Sequence, residues 1–220
     1  MGLATGTFTA YTQASILSES CEYVLDFVMQ MIGTRPIEMT AVFLGLVNVT
    51  LIIRRSLWNY PFGIVMVVLY AKIFYDYQLY SDALLQVYYF FIQFYGLWYW
   101  LQHRDDTGAV KVVPLPTRQY LTYLGIAVVA WLLISTLMDR LTDASLPYWD
   151  GAVAALSVLA QFLLSRRHIE SWYLWICVDV LAIGLFIVKD LGPTAALYGV
   201  FLILATIGLF QWRKAARQVA

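Results

Sequence analysis

Long apolar segments, separated by short polar or charged stretches, run through most of the chain. Seven of them approach the length of a membrane-spanning helix, which needs roughly 17 to 25 predominantly apolar residues. They cover residues 37–53, 60–75, 83–101, 120–138, 151–165, 172–188 and 195–212. This pattern predicts an all-α membrane protein with seven transmembrane helices.

The first 35 residues differ from the rest because their polarity is mixed. Apolar residues such as Val24, Phe27, Val28 and Met31 recur there at intervals of three and four, which is typical of one face of a helix. We expect this segment to lie in the membrane interface, whereas insertion of residues 14–32 would give eight spans. It lacks the features of a signal peptide, so we expect it to remain on the mature protein.

An internal repeat relates the two parts of the chain at one fixed separation, which we call the repeat offset. This offset aligns Arg54-Arg55 with Arg166-Arg167, and the Gly-Leu-x-x-Trp run that ends at Trp100 with the one that ends at Trp212. We interpret this as two three-helix repeats joined by one linker helix, a 3+1+3 arrangement. Because the linker restores the direction of the chain, the repeats would be parallel, with a substrate site near the midplane between them.

The repeat also predicts the division of the chain into units. These are an interfacial segment at 1–36, a first three-helix repeat at 37–103, a loop and linker helix at 104–149, a second repeat at 150–214 and a tail at 215–220.

Basic residues are distributed unequally between the two predicted sides of the membrane. Ten lie on one side and four on the other. The first group is Arg54, Arg55, Arg104, Lys111, Arg118, Arg166, Arg167, Arg213, Lys214 and Arg217, and the second is Arg35, Lys72, Arg140 and Lys189. The positive-inside rule therefore predicts an external N-terminus and a cytoplasmic C-terminus.

Composition supports the membrane class and argues against several functions. Hydrophobic residues make up 61% of the chain and charged residues 13%, against roughly 45–50% and roughly 25% in soluble domains. We expect no nucleic-acid partner, because no basic tract is present. Cys21 and Cys177 lie too far apart to suggest a disulfide or a metal pair. His103 and His168 lie beside basic residues in loops, and we expect them to be solvated. We expect no metal, no cofactor and no enzymatic activity, because no catalytic or phosphate-binding motif is found.

Asp179 is the most informative residue of the predicted spans. A carboxylate at membrane depth is costly unless it faces protein, water or a ligand. Trp172 and Trp175 precede it by seven and four residues, so the three side chains share one helix face. A substrate site is our preferred interpretation, and a structural bond from Asp179 to a neighbouring span is the alternative.

Other polar residues at membrane depth extend this candidate site. Gln86, Tyr89 and Gln93 form one stripe on the third span, whereas Asn48 and Gln161 lie at nearly equivalent positions of the two repeats. For Asn48 and Gln161, a ligand contact and a hydrogen bond between helices remain equally open. We expect the aromatic residues at span ends to form interfacial belts. These are Trp58, Tyr60, Trp98, Trp149 and Trp212.

Three stretches of the chain carry a more specific pattern. They are Trp172-x-x-Trp175-x-x-x-Asp179, the aromatic run 93–100 at the end of the third span, and residues 58–63 at the entry to the second. With these stretches, residues 37–214 resemble the Pnu-type vitamin transporters. The resemblance implies a fold similar to SWEET sugar transporters, a homotrimer, and a location in the bacterial inner membrane. It also implies facilitated diffusion of nicotinamide riboside, which cytoplasmic phosphorylation would trap.

In this scheme Trp175 would stack on the nicotinamide ring, and Gln86 and Gln93 would bind the ribose or the carboxamide. Asp179 would offset the positive charge of the pyridinium or accept a hydroxyl. Transport of thiamine, riboflavin or a sugar is the alternative. A membrane scaffold or an integral membrane enzyme is a further alternative of a different class.

Overall fold

The computed structural model of the protein describes residues 20–33, 35–77, 80–103, 111–141 and 146–217. This part of the chain is helical, with one isolated β-bridge between Val113 and His168. The helices are α1 (20–32), α2 (Pro36–Ile53), α3 (Asn59–Asp76), α4 (Tyr80–Gln102), α5 (Thr117–Leu141), α6 (Pro147–Ser165), α7 (Glu170–Val188) and α8 (Gly192–Arg217). The predicted all-α class is confirmed.

Five of these helices, α2, α5, α6, α7 and α8, are long and apolar enough to cross a membrane. The helices α3 and α4 are not among these five; tyrosines and polar residues such as Lys72 and Gln93 interrupt their apolar segments. The count of seven spans therefore stays a prediction.

The helices pack as two groups that contact each other reciprocally. In the first group α2 packs on α3 and α3 on α4, and in the second α6 packs on α7 and α7 on α8. The groups meet where α2 contacts α8 and where α4 contacts α6, so the first helix of each group contacts the third helix of the other. The remaining long helix, α5, packs on α6.

The repeat offset recurs in the conformation of individual turns. Arg55 after α2 and Arg167 after α6 have φ angles of 57° and 67°, a left-handed conformation that is uncommon for residues other than glycine. Next to them, the amide of Ser56 donates to Leu51 O at 2.9 Å and the amide of His168 to Leu163 O at 3.0 Å. We call the end of the bundle that holds these two turns the arginine end.

Four aromatic residues near the arginine end join the two groups. Tyr60 and Trp100 meet edge to face at 5.4 Å between ring centroids, and Trp172 and Trp212 at 5.5 Å. The two pairs touch through Trp100 and Trp212, at 6.1 Å. Because the repeat offset carries the first pair onto the second, this aromatic cluster has the same symmetry as the turns.

The expectation of an interfacial belt is wrong for Tyr60 and Trp212. They are 3% and 0% exposed, and the Trp212 indole donates to Ile52 O at 3.2 Å. These residues point toward the other helix group, which periodicity alone does not reveal. Trp58 and Trp98, in contrast, are 69% and 52% exposed.

The turn between α6 and α7 is held by the segment that leads into α5. Arg167 is buried, and its Nη1 donates to His103 O at 3.1 Å and to Lys111 O at 2.6 Å. The amide of Val113 donates to Arg167 O at 3.1 Å. These bonds join α4, α6 and the start of α5 at the arginine end.

Both histidines take part in this arrangement and are only partly exposed, so they are less solvated than expected. His103 stacks on Tyr99 at 4.1 Å between ring centroids, and its Nδ1 lies 2.8 Å from Tyr99 O. The Nδ1 of His168 lies 3.1 Å from Val113 O. Partial burial lowers the pKa of His168, although the bond to Val113 opposes this shift.

Candidate functional site

Asp179 is the tenth of the 19 residues of α7, which places it about 14 Å along the helix axis from either end. It is 4% exposed. Within the described residues, its carboxylate makes no hydrogen bond and no ion pair. A structural bond to a neighbouring helix, the alternative interpretation, is therefore not found in this part of the chain.

A tyrosine of the neighbouring helix α8 lies near Asp179, and further aromatic residues surround that tyrosine. Tyr198 of α8 lies close enough to the Asp179 carboxylate for the two groups to interact electrostatically. Its ring is 5.2 Å from that of Phe186 on α7 and 6.1 Å from that of Phe201 on α8. Tyr70 of α3 lies within electrostatic range of Tyr198, so this aromatic group reaches from the second helix group into the first.

Two side-chain amides of the first helix group converge on one glycine. Asn48 of α2 and Gln93 of α4 are 5% and 4% exposed, and both lie against Gly63 of α3. A Cβ added to Gly63 would be 3.0 Å from Asn48 Oδ1 and would overlap the Gln93 amide. Only a residue without a side chain leaves room for both groups.

Asn48 Oδ1 is buried, and no donor among the described residues reaches it. Such an orphaned acceptor costs roughly 1–3 kcal/mol, and buried polar groups of this kind call for an explanation. A hydroxyl or amide of a bound ligand would supply the missing donor.

Trp175 occupies the position of the second helix group that corresponds to Gly63. Its indole is partly buried and packs against two groups of buried apolar residues, one that includes Trp212 and one that includes Leu163. At the repeat offset, Asn48 and Gln93 correspond to Ala160 and Ala205. The first group therefore carries amides where the second carries alanines, and the second carries an indole where the first carries a glycine, so the candidate residues are distributed asymmetrically within a repeated scaffold.

Trp172, another predicted site residue, is buried where α7 packs on α8. Trp172 is 2% exposed and belongs to the aromatic cluster. A Cβ added to Gly208 would lie 2.5 Å from its ring, which shows how closely it packs on α8. Its Nε1 has no acceptor among the described residues. It lies about 10 Å from Asp179 along the axis of α7.

The remaining predicted residues lie on α4 and α6, the helices that join the two groups. Tyr89 of α4 lies near the hydroxyl of Ser157 on α6, and these two helices contact each other. Gln86 and Gln161 are half-buried, and neither makes a hydrogen bond within the described residues.

Sequence reasoning did not assign Gly63, Tyr198 or Ser157 to the site. A tyrosine inside an apolar segment such as that of Tyr198 needs a partner for its hydroxyl, and this signal was available. For Gly63 and Ser157 no local signal exists, because their roles depend on contacts with α4.

Together the two helix groups carry a carboxylate, two amides, an indole and phenols within their apolar segments, without a metal-binding group of His, Cys, Asp or Glu in the described residues. Such groups bind an organic molecule through stacking, hydrogen bonds and charge.

Comparison with known proteins identifies relatives of the chain. The family model described as nicotinamide mononucleotide transporter matches residues 35–214. The nicotinamide riboside transporter PnuC of Escherichia coli strain K12 is 26% identical over 207 residues, which cover 83% of this chain and 87% of that protein. PnuC of Neisseria mucosa is 30% identical over 186 residues, covering 79% and 70%. The riboflavin/roseoflavin transporter RibM of Streptomyces davaonensis is 23% identical over 184 residues, covering 82% and 86%.

A solved structure is similar to the chain as well. The crystal structure of the vitamin B3 transporter PnuC superimposes with a TM-score of 0.72 at 28% identity, covering 91% of this chain and 92% of that one. The predicted resemblance to the Pnu-type transporters is confirmed. The chain therefore belongs to the nicotinamide mononucleotide transporter family, which is a family of membrane transporters rather than of enzymes.

Proposed function

We propose that this transporter carries nicotinamide riboside across the membrane. The observation that carries the proposal is the carboxylate of Asp179, buried at mid-helix without an ion-pair partner in the described residues. The pyridinium ring of nicotinamide riboside is positively charged, so it provides the opposite charge that this carboxylate lacks. The names of the relatives from Escherichia coli and Neisseria mucosa support the same substrate.

The family's description names nicotinamide mononucleotide, but charge favours the riboside as the substrate of this chain. The 5′-phosphate of the mononucleotide would add roughly 1.5 to 2 negative charges beside Asp179. All the Lys and Arg side chains of the described residues lie near helix ends or in turns. No cation of this part of the chain is therefore placed at the depth of Asp179 to neutralise a phosphate.

Each side chain of the site has a role in this proposal. Trp175 stacks on the nicotinamide ring, while Asn48 and Gln93 bind the carboxamide or the ribose hydroxyls. Asp179 offsets the ring charge. Gln86, Tyr89 and Gln161 extend the polar wall along α4 and α6, and Trp172 supports the site from the aromatic cluster.

The proposed architecture places this site between two parallel three-helix repeats, α2–α4 and α6–α8, in a 3+1+3 arrangement with α5 as the linker. Matching helix bounds, turns and aromatic pairs support this division. The distribution of basic residues supports an external N-terminus and a cytoplasmic arginine end. Residues 1–19 of the proposed interfacial segment lie outside the described residues.

The mode of transport that we propose is uniport, followed by phosphorylation of the riboside in the cytoplasm. Within the described part of the chain, Asp179 is the one acidic residue placed near the middle of a membrane helix, so no relay of carboxylates is available to couple protons. The resemblance to Pnu-type transporters supports a homotrimer in the bacterial inner membrane.

A panel of ligands tests the substrate. We expect nicotinamide riboside to raise the melting temperature of the purified protein, because a ligand that binds the folded state stabilises it. We expect nicotinamide mononucleotide and thiamine to have a smaller effect at equal concentration. A larger shift with riboflavin would contradict the proposal and would favour the activity of the Streptomyces relative RibM.

A further inference from the structure

A cavity of about 530 Å³ lies beside α5 and α6 at the arginine end. α5 begins at Thr117 and α6 ends at Ser165, so the arginines next to these two positions lie at the same membrane boundary. The cavity is lined by Arg118, Gln119, Thr122, Tyr123 and Arg166. It does not include any residue of the proposed substrate site.

An apolar groove of about 640 Å³ continues from this cavity along α5, and Thr122 lines both. Its lining residues recur at intervals of three and four, so they form one face of the helix. They are Thr122, Gly125, Ile126, Val129, Ala130 and Leu133. From Thr122 to Leu133 the helix rises about 16 Å, which is about half of a hydrocarbon core roughly 30 Å thick.

The two arginines carry positive charge that nothing in the described residues neutralises. Neither Arg118 nor Arg166 forms an ion pair there. The guanidinium of Arg166 lies 5.7 Å from the ring centroid of Tyr99 and 5.5 Å from that of Phe162. Its Nε is buried and has no acceptor among the described residues. The aromatic rings hold this guanidinium in place without supplying an anion.

We propose that the cavity and the groove bind one anionic phospholipid. Its phosphate lies between Arg118 and Arg166, and one acyl chain runs along α5 past Gly125 toward Leu133. An apolar groove alone would accept any apolar partner, but the two guanidinium groups at its mouth, which have no ion-pair partner in the described part of the chain, select an anion. The length of the groove matches one leaflet.

Native mass spectrometry of the full-length protein with dioleoyl phosphatidylglycerol or dioleoyl phosphatidylethanolamine tests the part of the site that binds the lipid phosphate. We expect the wild-type protein to retain the anionic lipid preferentially. Arg118→Gln and Arg166→Gln should each weaken this retention about five-fold, the usual effect of one basic residue near an anionic surface. Arg54→Gln, an exposed arginine at the same end, is the matched control and should retain the lipid normally.

The acyl-chain part of the site is tested by filling the groove. A Cβ added to Gly125 meets no atom within 4 Å, so Gly125→Leu should fold normally while its side chain occupies the groove. We expect this variant to retain less phosphatidylglycerol than the wild-type protein in native mass spectrometry. Gly199→Leu, where an added Cβ also meets no atom within 4 Å, should keep it.

Three results would overturn the proposal. Equal retention of the two lipids would show that the arginines do not select the head group. Competition by soluble glycerol phosphate would indicate a site for a free anion. A change of oligomeric state in Gly125→Leu, with lipid retention unchanged, would show that a second copy of the chain occupies the groove.

Discussion

At the scale of single residues, Asp179 combines a charge with a position where charge is costly. Replacing it by Asn removes the charge but keeps the shape. We expect Asp179→Asn to weaken binding of nicotinamide riboside at least about ten-fold, since it removes a charge-assisted contact. We also expect the melting temperature of the ligand-free protein to stay the same or rise, because a buried unpaired charge destabilises the fold.

Binding titrations and thermal melts of the same preparation measure both effects. Asp139→Asn, an exposed carboxylate near the end of α5, is the control and should change neither. A lower melting temperature with normal binding in Asp179→Asn would assign Asp179 a purely structural role.

Gly63 carries the second prediction at this scale. Its missing side chain leaves room for the amide of Gln93 and for Asn48 Oδ1. In Gly63→Ala the added Cβ must displace Gln93, and overpacking of this kind costs about 1–3 kcal/mol. We expect affinity for nicotinamide riboside to fall about ten-fold by isothermal titration.

Gly199→Ala provides the comparison, because its Cβ would meet no atom within 4 Å. It should bind the riboside with the wild-type affinity. Wild-type affinity in Gly63→Ala would show that the two amides do not contact the ligand.

At the scale of elements, the turn between α6 and α7 links the arginine end to the preceding loop. His168 contributes through its contact with Val113, and its pKa is lowered in the folded protein. The unfolded chain therefore takes up a proton first as the pH falls below about 6.5. Folding stability should accordingly decrease toward acid pH, as linkage requires for a depressed histidine pKa.

We expect His168→Gln to reduce this decrease between pH 7 and pH 5, as measured by melting temperature across the range. His103→Gln, at the other histidine of the same end, is the comparison. If the melting temperature of His168→Gln falls as steeply toward acid pH as that of the wild type, another group causes the decrease.

The length of each helix was predicted less well than its existence. The predicted spans 120–138 and 195–212 lie inside α5 and α8, which extend from Thr117 to Leu141 and from Gly192 to Arg217. Hydropathy marks the apolar part of a helix, whereas backbone hydrogen bonding continues into polar residues at the membrane boundary.

At the scale of the whole molecule, two helix groups that contact each other reciprocally are suited to rock against each other around a site between them. We expect proteoliposomes to take up radiolabelled nicotinamide riboside with saturation and without a proton or sodium gradient. Ionophores that collapse either gradient should leave the initial rate unchanged.

Preloading the vesicles with unlabelled riboside should accelerate entry of the label, which distinguishes a carrier from a pore. Proteoliposomes with Asp179→Asn are the control and should take up less at low substrate concentration. Uptake that required either gradient would contradict uniport, but nicotinamide riboside would still be the substrate.

The amino-acid sequence alone determined the membrane class, the approximate positions of the helices, the repeat offset and the family. Each of these depends on local composition or on motifs at fixed spacing, as with Trp175 and Asp179. Tertiary structure decided which side chains meet. Asn48 and Gln93 lie on different helices and converge only because α2 and α4 both pack against Gly63 of α3. Tyr60 and Trp212 are buried because two helix groups face each other there, and no local pattern encodes which face a neighbouring helix covers.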